Sequence, residues 1–311
     1  MEISDTYFNI AYTLVTLLFI ATSINELLLL SKKQNSTLLK VRIIIRSWWW
    51  IIAVILIAGA FGPYGILVLF SALTLLASFE YLKRSQLFKI KPMVKVFLSV
   101  FIAIQIYLIL NGNFDIFAAI PTSYILLTLP ILIFIYKDLS AVPKIMASYM
   151  GIAITTHCLF YLPAFVIIGA DIFKSEDKAL LCFFLVVGLT QANDIFQFLF
   201  GKLFGKNKIV DFISPNKTEA GFIGGIVMTS FLGTMAFTHF IDMSPVMAFV
   251  CAISISVFGI FGDLTFSAIK RHFDIKDFSS VIPGHGGFID RLDSLIFTGP
   301  VLFLIIKYFG A

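Results

Sequence analysis

Long apolar runs broken by short basic segments dominate this chain of 311 residues. Roughly 17–25 consecutive apolar residues are enough to cross a bilayer as a helix, and about ten such runs are present. They are Phe8–Leu30, Ile43–Ala60, Gly62–Glu80, Val94–Leu110, Ile116–Tyr136, Ile145–Gly169, Ala179–Phe200, Ala220–Ile241, Pro245–Gly262 and Leu295–Tyr308. Lipid offers the backbone no hydrogen-bond partner, so each run must satisfy its own peptide groups and is predicted to be a helix. The pattern predicts an all-α, polytopic integral membrane protein with no separate soluble domain.

The longest stretch between runs, Asp263–Ser294, is too short to fold alone, since independent domains usually need about 50 residues or more. Any chemistry must therefore be built from helix ends and short loops. The first six runs carry few polar residues, whereas Gln191–Asp293 holds most of the unusual ones. Residues 1–178 thus read as a scaffold of membrane helices, and 179–311 as the helices that carry a site. Glu2 and Asp5 give the first run an acidic leader with no small-residue cleavage pattern after it, so this run is expected to be retained as a helix.

Composition agrees with the pattern. The chain is 59% hydrophobic and 13% charged, against about 45–50% and 25% in soluble domains. Cys158, Cys182 and Cys251 each lie in an apolar run and form no C-x-x-C pair, which argues against a disulfide framework or a zinc site. The net charge of +5 is distributed by side: of the 23 Lys and Arg residues, only Lys174, Lys178 and Lys307 fall outside the alternate segments that hold all the others. Cytoplasmic loops are enriched in Lys and Arg, so those segments are expected to face the cytoplasm and both termini the outside. This asymmetry accounts for most of the charge without nucleic acid as a partner. Trp48, Trp49 and Trp50 sit where the second run enters from the basic side, as an interfacial aromatic belt would.

Three clusters carry candidate chemistry. In QANDIFQFLFGKLFGK (residues 191–206), Thr190, Asp194, Gln197 and Gly201 share one helical stripe. A carboxylate inside a membrane helix costs at least a few kcal/mol unless paired or wetted, so Asp194 serves either an ion pair or a ligand. In ISPNKTEAGFIGG (residues 213–225), Ser214 and Asn216 suit a turn and Thr218 suits a helix cap. A helix N-terminus beside Lys217 would suit a phosphate; Gly221, Gly224 and Gly225 serve equally well for close helix packing.

The third cluster, GDLTFSAIKRHFDIKDFSSVIPGHGGFIDRLD (residues 262–293), is the densest. Asp263, Ser267, Lys270 and Arg271 fall on one face of a helix that continues out of the ninth run. Asp290 and Asp293 are three residues apart at the start of the last helix, near its positive end. Gly284, Gly286 and Gly287 allow tight bending or close approach to a ligand. His285 could assist proton transfer or be purely structural, and Lys276 and Asp277 read as a solvated surface pair. Carboxylates gathered with basic residues and glycines suit a metal–polyphosphate site. Mg²⁺ takes one or two carboxylates and completes its shell with water and phosphate oxygens, while Lys and Arg balance the phosphate charge. No G-x-x-x-x-G-K-[ST] loop is present, which excludes a P-loop site.

The third cluster resembles the signature of the CDP-diacylglycerol synthases, or phosphatidate cytidylyltransferases. The matching positions are Ser267, Lys270, Arg271, Lys276, Asp277, Pro283, Gly284, His285, Gly286, Gly287, Asp290, Arg291 and Asp293, with no gap. Ser214, Pro215, Lys217, Thr218, Gly224 and Gly225 resemble a preceding family stretch. Two features depart from the pattern. The family's Asp-x-Gly-Ala-Tyr reads Asp194-Ile195-Phe196-Gln197-Phe198 here, and its glutamate after the threonine stands one position early, as Glu219.

The resemblance implies transfer of CMP from CTP to phosphatidate, with Mg²⁺ as cofactor and a second metal ion left open. It implies Asp263 and Asp290 as metal ligands, with Asp293 as an additional or outer ligand. Lys217, Lys270, Arg271 and Arg291 are implied as phosphate partners. Asp194, Ser214, Asn216, Ser267, Gly286 and Gly287 are expected to bind substrate, with His285 a further catalytic candidate. The resemblance suggests a homodimer as well; a bacterial-type inner membrane is expected, with the site at the cytoplasmic face because all three clusters lie on the basic side. The two departures leave open the same transfer to a different lipid phosphate. A non-catalytic transporter would scatter charge through the mid-membrane; here charge gathers at one face.

Overall fold

The computed structural model describes residues 5–31, 36–85, 92–122, 126, 146–147 and 150–310. Its helices include α1 (Asp5–Ser31), α2 (Ser36–Ala60), α3 (Gly62–Ser85), α4 (Pro92–Leu110), α5 (Leu159–Phe173), α6 (Glu176–Phe204), α7 (Glu219–Phe240), α8 (Pro245–His272) and α9 (Ile289–Phe309). One π-helical turn, Ala153–Cys158, leads into α5. Among the described residues, eight helices are long and apolar enough to cross a membrane, and Leu98–Leu110 of α4 forms a shorter apolar helix. The protein is an all-α, polytopic integral membrane protein. Most of the predicted fifth run, and the start of the sixth, lie outside the described residues.

The helices begin where their local chemistry dictates. Ser175 Oγ accepts from the Lys178 N–H at the start of α6, and Thr218 Oγ1 accepts from the Gly221 N–H at the start of α7. Ser244 does the same for α8, with Pro245 in its first turn. Each satisfies a peptide N–H that has no partner inside its own helix. The helix α9 differs. Phe288 stands at its cap and offers no side-chain acceptor; its N-terminus is satisfied from elsewhere in the bundle.

As the spacing of Asp263, Ser267, Lys270 and Arg271 predicts, α8 continues out of its apolar run to His272. Helix α9 starts at Ile289, before its apolar run, with Asp290 and Asp293 in its first turns. Apolar length marks only the lipid-embedded part of a helix, and both helices project beyond it. Large apolar side chains such as Leu203, Phe231 and Val246 are exposed on the outer surface, which suits a lipid environment.

The interior holds more polar groups than the first six runs suggest. Thr74, Ser78, Gln105, Thr155, Thr156 and His157 are all buried, and His157 Nδ1 lies 3.0 Å from Gln105 Oε1. A second polar node joins the later helices. Asn193 of α6 accepts through Oδ1 from Thr229 Oγ1 of α7 (3.2 Å) and from Ser256 Oγ of α8 (2.6 Å), and donates to the Ser256 carbonyl (3.3 Å). This node ties together the three helices that frame the site, one residue before Asp194.

Candidate active site

A cleft of about 300 Å³ opens at the end of the bundle that carries the basic segments. Asp194, Gln197, Phe198, Ser214, Asn216, Lys217, Thr218, Gly221, Phe222 and Asp263 line it. The α6–α7 crossing that forms its back is close because glycines meet there. A methyl group on Gly224 would strike the Phe200 ring, and one on Gly225 would reach Gln197 Cγ at 2.6 Å. These glycines therefore serve helix packing. In the cleft Lys217 pairs with Asp263, whose other oxygen accepts from Ser267 Oγ at 3.3 Å. Gln197 Nε2 donates to Asp194 Oδ1 at 3.3 Å, and its own carbonyl oxygen is buried without a partner.

Beside the cleft, the segment between α8 and α9 folds around Asp290. Its Oδ2 accepts from the Phe278 and Gly287 N–H groups, both at 2.9 Å, while Oδ1 accepts from Lys270 Nζ at 2.9 Å. Gly286, at φ +86°, lets the chain turn against this carboxylate; a methyl group there would lie 2.8 Å from Asp290 Oδ2. Gly287 is pressed equally hard on its other side, where a methyl group would lie 2.7 Å from Glu80 Oε2. Both glycines shape the loop around carboxylates.

Helix α3 supplies what α9 lacks. Glu80 accepts from the Ile289 N–H at 3.0 Å and from Ser279 Oγ at 2.6 Å, placing negative charge at the positive end of α9. One turn further along α3, Arg84 Nε donates to the Phe278 carbonyl. From α2, Ser47 Oγ donates to the Pro283 carbonyl at 2.6 Å, and the Trp48 ring meets His285 edge-on at a centroid distance of 5.8 Å. Sequence reasoning singled out none of these four as site residues. A single Glu and Arg at the end of an apolar helix look like solvated boundary charges, and only their partners nearly 200 residues away reveal the clamp.

Three carboxylates and three cations meet between the cleft and the loop. Asp194 lies within electrostatic range of Asp263, Lys217 and Arg291. Asp293 lies within range of Asp263, Asp194 and Lys270, and one of its oxygens accepts from the Ser294 N–H at 2.8 Å. Asp263 and Asp290 thus sit at the same end of the bundle, joined through Lys270 and Asp293. Asp290 and Asp293, expected to act side by side, divide: the first is held by the loop, and the second interacts with the cleft carboxylates.

Each expected metal ligand presents one carboxylate oxygen to a lysine ammonium, the kind of position a cation occupies. No group of three His, Cys, Asp or Glu side chains gathers as a ready cage among the described residues. The arrangement fits Mg²⁺, which needs only one or two carboxylates and takes its other ligands from phosphate and water.

Other expected site residues take different places. Arg271 is exposed, and its Nε donates to the Ile213 carbonyl at 3.1 Å, bracing the segment before Lys217. Lys276 and Asp277 are exposed, as their reading as a solvated pair anticipated. His285 is buried, with Nδ1 3.4 Å from the Pro283 carbonyl. Burial lowers its pKa, with Arg291 adding to the effect and the Pro283 hydrogen bond opposing it. The expected aromatic belt does not form as a unit: Trp48 packs on His285, Trp49 Nε1 donates to Thr22 Oγ1 at 3.1 Å, and only Trp50 is largely exposed.

Comparison with known proteins places this arrangement. The model of the cytidylyltransferase family matches residues 40–309. The chain is 41% identical over 133 residues to the uncharacterized protein YnbB of Escherichia coli (strain K12), covering 43% of this chain and 44% of that protein. It is 37% identical over 179 residues to the phosphatidate cytidylyltransferase of Staphylococcus aureus (strain COL), covering 56% and 66%. The Staphylococcus epidermidis (strain ATCC 12228) phosphatidate cytidylyltransferase is 38% identical over 179 residues, with the same coverage. The matched stretch thus spans under half of the first relative and just under two thirds of the other two. The model match takes in both the cleft and the loop around Asp290, and on that ground the chain belongs to the cytidylyltransferase family.

Proposed function

We propose that this protein transfers CMP from CTP to phosphatidate, forming CDP-diacylglycerol and releasing pyrophosphate. The observation that carries the reading is the meeting of Lys217, at the N-terminus of α7, with Asp263 in a cleft beside the Asp290 loop. A phosphate oxygen of the lipid attacks the α-phosphorus of CTP. A new P–O bond forms, and the bond to the β-phosphate bridging oxygen breaks. The attacking phosphate is already ionised near neutral pH, so no dedicated base is required. The main obstacle is the approach of two anions, which calls for positioning and charge stabilisation.

The residues divide that work. The α7 N-terminus and Lys217 suit the nucleotide phosphates. Lys270 and Arg291 stand by to neutralise phosphate charge as it moves. Asp263 and Asp290 would hold Mg²⁺, with Asp293 and Asp194 beside them. When bound, the ion would neutralise phosphate charge and polarise the reacting phosphoryl group. Ser214, Asn216 and Ser267 would orient the substrate. Residues 179–311 carry the reacting groups, while the helices of 1–178 act as scaffold and clamp the loop through α2 and α3.

The basic segments gather at the same end as the site, which supports a cytoplasmic active face in a bacterial-type inner membrane. A homodimer is the assembly that the family resemblance suggests. Gln197 lines the cleft next to Asp194 in place of the family's Gly-Ala-Tyr stretch, which favours a second reading: the same transfer to a different lipid phosphate. Membranes containing the protein, supplied with labelled CTP, Mg²⁺ and phosphatidate, should yield a labelled liponucleotide. Parallel reactions with other lipid phosphates separate the two readings. Failure with every lipid phosphate overturns both.

A further inference from the structure

A second polar pocket lies apart from the cleft, between the C-terminal part of α1 and the N-terminal part of α2. Thr22, Asn25, Glu26, Arg42, Arg46 and Trp49 line most of its volume of about 270 Å³. It falls just below the roughly 300–1,000 Å³ of drug-sized sites, so it suits a small polar group. Arg42 grips Glu26 with two parallel hydrogen bonds of 2.6 and 2.7 Å. Arg46 enters none of the ion pairs formed among the described residues. The two arginines and one glutamate leave one positive charge over.

Asn25 makes the pocket more than a charged surface. It is only 4% exposed, and neither its amide nitrogen nor its carbonyl oxygen has a hydrogen-bond partner. A buried polar group left unsatisfied has lost its water without a replacement, and such groups are rare in folded proteins. Its two atoms make complementary demands. The amide nitrogen, with Arg46, calls for an anionic acceptor; the carbonyl oxygen calls for a donor such as a hydroxyl.

We propose that the α1–α2 pocket binds an anionic phosphate ester that carries a hydroxyl group. The phosphate pairs with Arg46 and the Asn25 amide nitrogen, and the hydroxyl donates to the Asn25 carbonyl. The pocket lies toward the basic ends of the spans Tyr7–Ser31 and Leu38–Ala60. Basic pockets between membrane helices on the cytoplasmic side often hold anionic headgroups. A soluble phosphate ester offers the same chemistry, so the source is a matter for experiment. Thr22, Asn25 and Glu26 precede residue 40, where the family match begins. Arg42, Arg46 and Trp49 fall within that match, but none of the pocket's residues lines the cleft that holds Lys217 and Asp263, so the proposal does not depend on the transfer reaction.

The full chain, purified in detergent, would be examined by native mass spectrometry and thermal shift. One arm compares phosphatidylglycerol with phosphatidylcholine, and the other titrates glycerol 3-phosphate. The expected result is selective retention of phosphatidylglycerol, weakened about tenfold or more in both Arg46→Ala and Asn25→Leu. Leucine keeps the branched shape of asparagine and removes the unsatisfied amide, so without ligand Asn25→Leu should melt at the wild-type temperature or above. Lost binding with retained stability assigns Asn25 to a ligand. Binding of glycerol 3-phosphate without preference between the lipids would keep the site and make its occupant soluble. Equal retention of both lipids with no soluble binding overturns the proposal, as does wild-type affinity in both variants.

Discussion

Glu80 of α3 accepts a hydrogen bond from the Ile289 N–H at 3.0 Å, across 209 residues of sequence. This one contact makes a helix from the first half of the chain the N-terminal cap of the helix that carries Asp290, Arg291 and Asp293. The same carboxylate fixes Ser279, so it holds both the loop and the helix that follows. Loss of the cap would let the loop shift relative to the cleft. A displacement of about 1 Å can cost on the order of a hundredfold in rate. Glu80→Ala should therefore lower kcat at least about tenfold with a smaller change in KM for CTP, while Glu80→Gln, which keeps one acceptor, should recover part of the loss. Wild-type kcat in Glu80→Ala would show that the clamp does not position the reacting groups.

Asp290 and Asp263 are both paired with lysines, but in unequal surroundings. The Asp290 side chain is 3% exposed and that of Lys270 14%, against 25% for Asp263 and 17% for Lys217. Removing one member of a buried ion pair leaves an uncompensated charge and costs about 3–5 kcal/mol, whereas wetter pairs cost less. Asp290→Asn should abolish liponucleotide synthesis and lower the melting temperature while the protein still inserts and folds. Asp263→Asn should abolish synthesis with a smaller thermal penalty. Measurable turnover by Asp290→Asn at saturating Mg²⁺ would remove Asp290 from the proposed metal ligands.

Asn193 offers a test of the frame beneath the site. Two hydroxyls, from Thr229 and Ser256, donate to its side-chain oxygen inside the membrane region. Asn193→Ala strands both and opens a void among α6, α7 and α8. Interhelical hydrogen bonds in membranes average about 0.6 kcal/mol and reach about 1.7, so a loss of about 1–3 kcal/mol is expected once the cavity is included. Thermal unfolding in lipid nanodiscs reads this directly; an unchanged midpoint would mean that the node adds nothing to stability.

Much of the architecture could be read from the order of residues because bilayer physics leaves little freedom. An apolar run of sufficient length has to be helical, and the cap at Thr218 and the glycine packing at Gly224 and Gly225 follow from local chemistry. The third cluster was equally readable, since its charged and glycine residues stand close together in the chain. The clamp by Glu80 and Arg84, the contacts of Ser47 and Trp48, and the His157–Gln105 pair were not. Each depends on a partner on a distant helix, and a lone polar residue in an apolar run does not announce which neighbour it meets. For the same reason Gly286 and Gly287 looked like ligand contacts, when their crowded neighbours are Asp290 and Glu80.

His285 shows how the loop should respond to acid. Burial is the main cause holding its pKa below the ordinary value of 6.5, and the nearby Arg291 charge acts in the same direction. The folded loop thus disfavours the protonated ring, while the unfolded chain accepts the proton freely. Stability from this residue is fully present above the unfolded pKa and is lost as pH falls from about 6.5 toward the lower folded value. The chain holds three other histidines, His157, His239 and His272, so the informative quantity is the difference between wild type and His285→Phe, which keeps an aromatic ring against Trp48. Across about pH 7.5 to 5, the wild-type melting temperature should fall more steeply than that of the variant. Parallel curves would mean that His285 meets acid as readily in the folded loop as in the unfolded chain.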